Sequence, residues 1–172
     1  YAADKYSMEL YSSIANKIFN LSSLGLRFFN VYGPRQDPSS AYSGVISIFF
    51  DKIKKKQNMT IYGGYQTRDF VYVKDVADVI YRGVVMACDH QVCEVSNVLT
   101  GHSVTIDQLA TKVMEISNVK VGINYQDLLI GDPQQSDGST NKMVDLFSVE
   151  LDQFTQLGNG LLDTFQHTVN ED

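Results

Sequence analysis

An α/β fold in one domain is predicted by three features of the 172-residue sequence: apolar residues at helical spacing, short apolar runs of strand length, and alternation between the two. Helical spacing opens the chain, where Tyr6, Leu10, Ile14 and Ile18 recur among good helix formers over 1–19. No capping residue precedes Tyr1, so the sequence reads as cut at or inside a helix boundary. Leu24 to Tyr32 is a nearly continuous apolar run ending at Gly33-Pro34, which fits one strand buried on both faces of a parallel sheet. After a polar loop over 37–43, Val45, Ile48, Phe49 and Ile53 mark one face of a helix over 44–56 that ends in lysines. Residues 59–62 and 67–73 read as extended segments about a Gly63-Gly64 turn, and Asp75 as the cap of a helix over 76–87. A strand over 92–98, a helix over 105–117 with a Thr or Ser cap, a strand over 121–125, a loop over 131–138 and helices over 142–151 and 161–167 complete the pattern.

The chain is 44% hydrophobic and long enough for one core. It has no run approaching the roughly 18 apolar residues of a membrane span, so cytoplasm is the expected compartment. A net charge of −6 argues against nucleic acid. That charge is uneven, with 11 basic and 9 acidic residues over 1–100 but 3 and 11 over 101–172, so an anion site is expected in the first hundred. Cys88 and Cys93, with three scattered histidines, match no zinc spacing; no metal site is expected, and two buried thiols are favoured over a disulfide.

Tyr1 and Lys5 stand four apart on the first helix, so both can meet one ligand. An ammonium near a phenol favours the phenolate, which lets tyrosine serve as acid or base near neutral pH. A plain surface pair on a helix would show the same spacing, and the motifs further along the chain decide between the two. Tyr1-Ala2-Ala3-Asp4-Lys5 looks like a YxxxK motif, succeeded in order by Leu26-Arg27-Phe28-Phe29-Asn30-Val31-Tyr32-Gly33-Pro34-Arg35 and by Gln66-Thr67-Arg68-Asp69-Phe70-Val71-Tyr72-Val73-Lys74-Asp75. In these three segments the chain resembles the extended short-chain dehydrogenases, the NAD-dependent epimerase/dehydratase family, and within it the UDP-hexose 4-epimerases acting on UDP-glucose, UDP-N-acetylglucosamine or UDP-glucuronate.

The resemblance implies the C-terminal part of an extended Rossmann-type epimerase, with the last parallel strands, a small substrate-binding subdomain and no glycine-rich front half. The catalytic helix and Rossmann elements would occupy mainly 1–36 and 66–100, and the substrate subdomain mainly 37–65 and 101–172. Tyr1 would be the catalytic acid/base, Lys5 would hold the nicotinamide ribose, and Phe29 would lie against the nicotinamide unless it is an ordinary core aromatic. Asn30 would contact substrate, its alternative being a strand-end turn residue. Arg68 would bind the diphosphate bidentately, its alternative being an ion pair with Asp69 or Asp75. Val45 and Tyr62 would pack around the uracil or belong to the core, and Ser136 would sit near the sugar. Asp69 and Asp75 read as architectural, and His90, His102 and His167 receive no role.

The chain also departs from the family pattern. No GxxGxxG loop and no upstream serine or threonine are present, so this chain alone is expected to be inactive. Leu99 stands where a glycine is customary, and Leu129 where a second diphosphate arginine is usual. For the complete parent the resemblance implies NAD as cofactor, a UDP-sugar substrate, a homodimer and reversible epimerisation at C4, in the context of polysaccharide biosynthesis. The alternatives are a non-catalytic nucleotide-sugar-binding or self-associating remnant, or a related nucleotide-sugar dehydratase or decarboxylase.

Overall fold

The computed structural model describes residues 1–40 and 42–170. Helix α1 (Ala2–Phe19) is followed by β1 (Ser23–Phe28) and β2 (Asn30–Tyr32), then α2 (Val45–Lys54), β3 (Met59–Tyr62) and β4 (Thr67–Tyr72). After α3 (Val73–Asp89) come β5 (Cys93–Val98), β6 (Ser103–Thr105), α4 (Ile106–Ser117), β7 (Ile123–Gln126), α5 (Asn141–Phe147), a 3-10 turn (Leu151–Gln153) and α6 (Leu157–Asn170). Most boundaries agree with hydrophobic spacing, although in α1 the residues that set the pattern, Tyr6, Leu10, Ile14 and Ile18, are exposed.

The parallel pairing expected for the 24–32 run is present, but as two strands rather than one. β1 pairs with β5 from Ser23↔Cys93 to Phe28↔Val98, and after Phe29 the chain changes partner, so that Asn30 and Tyr32 of β2 lie opposite Phe70 and Tyr72 of β4. β1 is half-buried to exposed rather than buried on both faces, since among the described residues β5 is its one strand partner. β4 also pairs antiparallel with β6, a three-residue strand too short for a period to show, and β3 pairs parallel with β7. The polar loop over 37–43, of which Ala41 lies outside the described residues, is fastened by Asp37, whose Oδ1 accepts from the backbone N–H and the hydroxyl of Ser39.

Two apolar clusters form the core. One joins α2, β3, β4, α4 and α6 through Phe49, Phe50, Ile61, Phe70, Leu109 and Leu161. The other joins β4, α3, β5 and α5 through Val71, Val79, Val98, Met143 and Phe147. β4 serves both because alternate residues face opposite sides of a strand. The buried face of α2 is Ile46, Phe49, Phe50 and Ile53; Ile48, expected there, is exposed, because the helix is rotated to bring the paired phenylalanines inward.

Helix α4 begins as read, with a capping box: Thr105 Oγ1 accepts from Gln108 N and Gln108 Oε1 from Thr105 N. Asp75 is not a cap. α3 starts three residues earlier than expected, directly from β4, and the Asp75 carboxylate accepts instead from Thr155 N (2.8 Å) and Thr155 Oγ1 (3.0 Å). Both cysteines are exposed free thiols rather than buried ones, Cys88 near the end of α3 and Cys93 at the start of β5, where element ends meet solvent. Leu99 is buried and does not adopt a positive φ; the left-handed position in that turn falls to Gly101 (φ +81°).

The Tyr72 hydroxyl donates a very short hydrogen bond to Asp163 Oδ2, and Lys74 Nζ is 3.3 Å from the same oxygen, which ties α6 to the end of β4. The bond from Tyr72, and then Lys74, hold the Asp163 carboxyl below the usual carboxylate range, while burial and Asp163 push the Tyr72 phenol up. Asp163 thus adds stability that is present above the pKa of an unfolded carboxyl and lost as pH falls through its lower folded value; Tyr72 adds stability that is lost as pH rises through its raised value. Asp163→Asn is expected to lower the melting temperature at pH 7, with the difference from wild type shrinking as pH falls through the lowered carboxyl value of Asp163. Melting curves across pH would show it, and a difference independent of pH would remove the titrating carboxylate from the account.

Candidate active site

The position of Tyr1 and Lys5 is fixed by an ion pair that spacing did not reveal. Tyr1, Lys5 and Glu9 recur at four-residue intervals along one stripe of α1, and Glu9 takes both Nε (2.7 Å) and Nη2 (2.6 Å) of Arg27 on β1. This bidentate contact holds the Glu9 carboxyl below its ordinary range. Residues 20–22 alone join α1 to β1, so the helix runs back along the strand it packs on. From Glu9, Tyr1 lies about 12 Å further along the helix, and from Arg27, Asn30 lies about 10 Å further along the strand. The Tyr1 end of α1 is therefore directed toward the carboxyl end of β1. The lone arginine in an otherwise apolar 24–32 run was the signal that could have exposed this anchor.

Within that end, Lys5 Nζ lies 5.3 Å from the centroid of the Tyr1 ring, and Tyr1 is 89% exposed, open to a ligand. Among the described residues Lys5 forms no ion pair. Phe29 is half-buried at the partner switch, where its N–H still donates to Val98 O (3.0 Å). Gly138 lies against the Phe29 ring, for a Cβ there would fall 2.8 Å from its Cζ. Crevices at the carboxyl ends of strands, where the order of pairing changes, are the usual ligand sites of open α/β sheets.

Asn30 is exposed and shares the face of β2 that bears Tyr32; Arg68 shares the face of β4 that bears Phe70 and Tyr72. These are one face of the pair, since the Tyr32 ring meets those of Phe70 (6.3 Å) and Tyr72 (5.6 Å). Arg68 is buried and its side chain 11% exposed. Its partner is neither Asp69 nor Asp75 but Asp132, at 2.5 Å from Nη2, while Nη1 donates to Thr67 O (2.7 Å) and Pro133 O (2.9 Å). Asp69 points to the opposite face of β4, where its carboxylate accepts from Thr100, Gly101 and His102.

Around Arg68 the chain folds two loops together. The 62–66 turn is closed by Gln66, which bonds Gly64 N and Tyr62 O (both 2.6 Å), and Tyr62 remains 40% exposed at the end of β3. The 127–139 segment runs beside β4, with Thr67 N donating to Gln134 O (3.0 Å) and Ser103 Oγ to Ser136 O (3.1 Å). Ser136 thus lies on the Arg68 loop through its backbone. Val45, in the first turn of α2, packs against the first core cluster. The structure brings Lys5 to the Tyr1 ring and Arg68 to the loop that carries Ser136. Two surface cavities lie elsewhere, one over Phe70, His102 and Leu157 and the other over Asp75, Arg82 and Glu150, and neither is lined by these residues.

Among the described residues no helix is long and apolar enough to cross a membrane. Residues 1–95 match the profile of the NAD dependent epimerase/dehydratase family. A provisionally named UDP-glucose 4-epimerase of Methanocaldococcus jannaschii is 43% identical over 110 residues, 63% of this chain and 34% of its own length. The solved UDP-N-acetylglucosamine 4-epimerase of Methanobrevibacter ruminantium M1, in complex with UDP-N-acetylmuramic acid, superposes on all of this chain and 54% of its own, with a TM-score of 0.89 and 33% identity. The UDP-glucose 4-epimerase of Thermus thermophilus, in complex with NAD, does so over 100% and 54% of the two chains, with a TM-score of 0.85 and 27% identity. The chain spans about half the length of these solved structures, and half or less of the curated relatives it matches. With its family profile covering more than half of the residues and its fold shared along the whole chain, this protein belongs to the NAD dependent epimerase/dehydratase family.

Proposed function

We propose that this chain carries the proton-transfer pair and the nucleotide-sugar site of a UDP-hexose 4-epimerase, with the remaining cofactor contacts supplied by a chain of the relatives' full length. The observation that carries the reading is the Lys5 ammonium 5.3 Å from the exposed Tyr1 ring. In this reading Tyr1 takes the proton of the C4 hydroxyl as that carbon is oxidised, and returns it once the 4-keto sugar has turned over. Asn30 and Ser136 hold the sugar, Arg68 the diphosphate, and Val45 and Tyr62 flank the uracil. Residues 1–36 with 66–100 form the catalytic part in this reading, and 37–65 with 101–172 the substrate part, with both core clusters packed across the two.

For NAD the residues present fit the nicotinamide end. Lys5 has no acid partner among the described residues and can donate to ribose hydroxyls, and the half-buried Phe29 ring, backed by Gly138, offers a flat apolar wall. Bound there, NAD would supply acceptance and return of the C4 hydride. A homodimer through α1, in a cytoplasmic protein, belongs to the same reading, since α1 buries none of its residues and exposes Tyr6, Met8, Tyr11 and Ile18.

Separate calorimetric titrations with UDP and NAD test the proposal. UDP is expected to bind and NAD not to bind measurably, because no glycine-rich turn is available to hold the pyrophosphate. Absence of UDP binding would refute the substrate site, and tight NAD binding would refute the inactivity of the chain alone. A second reading, a non-catalytic nucleotide-sugar-binding remnant, is favoured by one feature: Leu129, 57% exposed, occupies the place of a second diphosphate cation.

A further inference from the structure

We infer that Asp132 is a positioning residue, which holds the Arg68 guanidinium in place for an arriving diphosphate; the inference rests on the nucleotide-sugar reading above. A guanidinium has five N–H donors in one plane. Three are engaged internally: two from Nη1 to Thr67 O and Pro133 O, and one from Nη2 to Asp132 Oδ1. Thr67 belongs to the strand of Arg68, whereas Asp132 and Pro133 belong to the facing loop. The head group is thus gripped from two backbone segments and does not swing on its flexible stem.

Two donors remain without a partner among the described residues, Nε–H and one on Nη2, the number that a bidentate phosphate contact takes. Asp132 is the outer member of the pair, its side chain 35% exposed against 11% for Arg68, so it borders the solvent from which an anion arrives. Fixing the fork before binding spares the ordering of a long side chain. The loop is itself stitched to β4 and β6 through Gln134 O and Ser136 O, which gives Asp132 a firm base.

A carboxylate beside Arg68 could act in another way, as a competing anion that must be displaced. The two roles separate on Asp132→Asn, which keeps the oxygen acceptor and drops the charge, and Asp132→Ala, which drops both. Positioning requires Asp132→Asn to bind UDP at least as tightly as wild type, and Asp132→Ala about tenfold more weakly than Asp132→Asn. Equal dissociation constants for the two variants would overturn the inference, because charge alone would then matter. Asp132→Ser, whose hydroxyl is too short to reach the guanidinium, is measured beside Asp132→Ala with circular dichroism, so that misfolding of one variant leaves the comparison intact. Wild-type protein that fails to bind UDP would sink the nucleotide-sugar reading, and this inference with it. Wild-type binding with indistinguishable variants would sink this inference alone.

Discussion

Replacing Arg68 by alanine is expected to weaken UDP binding by about two orders of magnitude. Two charge-assisted hydrogen bonds to a diphosphate contribute roughly 1.5–3 kcal/mol each, and losses at shared sites add incompletely. Arg68→Lys keeps the cation but not the planar fork, so it should recover a part of the affinity only. Arg68 also fastens the 127–139 loop, and the melting temperature must be followed in parallel. Asp132 is half-exposed and returns to water when its partner is removed, so the stability cost should be the smaller effect. A UDP dissociation constant within threefold of wild type in a folded Arg68→Ala protein would take the diphosphate away from this residue.

Asp69→Ala is expected to cost about 3–5 kcal/mol of stability. Asp69 is 1% exposed, and its carboxylate accepts from Thr100 N (2.9 Å), Thr100 Oγ1 (3.0 Å), Gly101 N (2.7 Å) and His102 N (3.1 Å). Those donors belong to the turn that carries the chain from β5 into β6, and β6 pairs with β4 beside Arg68. Without the carboxylate, the backbone N–H groups of Thr100 and Gly101 lose their acceptor, His102 N keeps only Thr100 Oγ1, and the turn loses its shape. Asp69→Asn retains one oxygen acceptor and should cost about half as much. Urea unfolding of the three proteins would measure this, and an Asp69→Ala protein within about 1 kcal/mol of wild type would show that water replaces the carboxylate.

The elements and the members of the candidate site were legible for the same reason: both depend on short-range regularities. Helix α4 shows an apolar period and a Thr-x-x-Gln box, and the Tyr1 to Lys5, Leu26 to Arg35 and Gln66 to Asp75 segments their motifs, each contained within about ten residues of chain. Which aspartate answers Arg68 was not legible, since Asp132 is far away in sequence and Asp69 and Asp75 stand much nearer. The nearer pair turned out to serve the 100–102 turn and Thr155, because strand alternation and the early start of α3 point them away from the guanidinium.

Order and spacing of residues predicted the α/β class, and the resemblance of three short motifs predicted the family and proposed Tyr1, Lys5 and Arg68 as site candidates, since local propensity and motifs need no partner from afar. Folding in three dimensions settled the rest. It split the 24–32 run at Phe29, because each half hydrogen-bonds to a different strand, and it anchored α1 through Glu9 and Arg27. It also set Arg68 between its own strand and the 127–139 loop rather than leaving it free. Pairings across long stretches of chain depend on which surfaces meet, and that is a property of the packed whole.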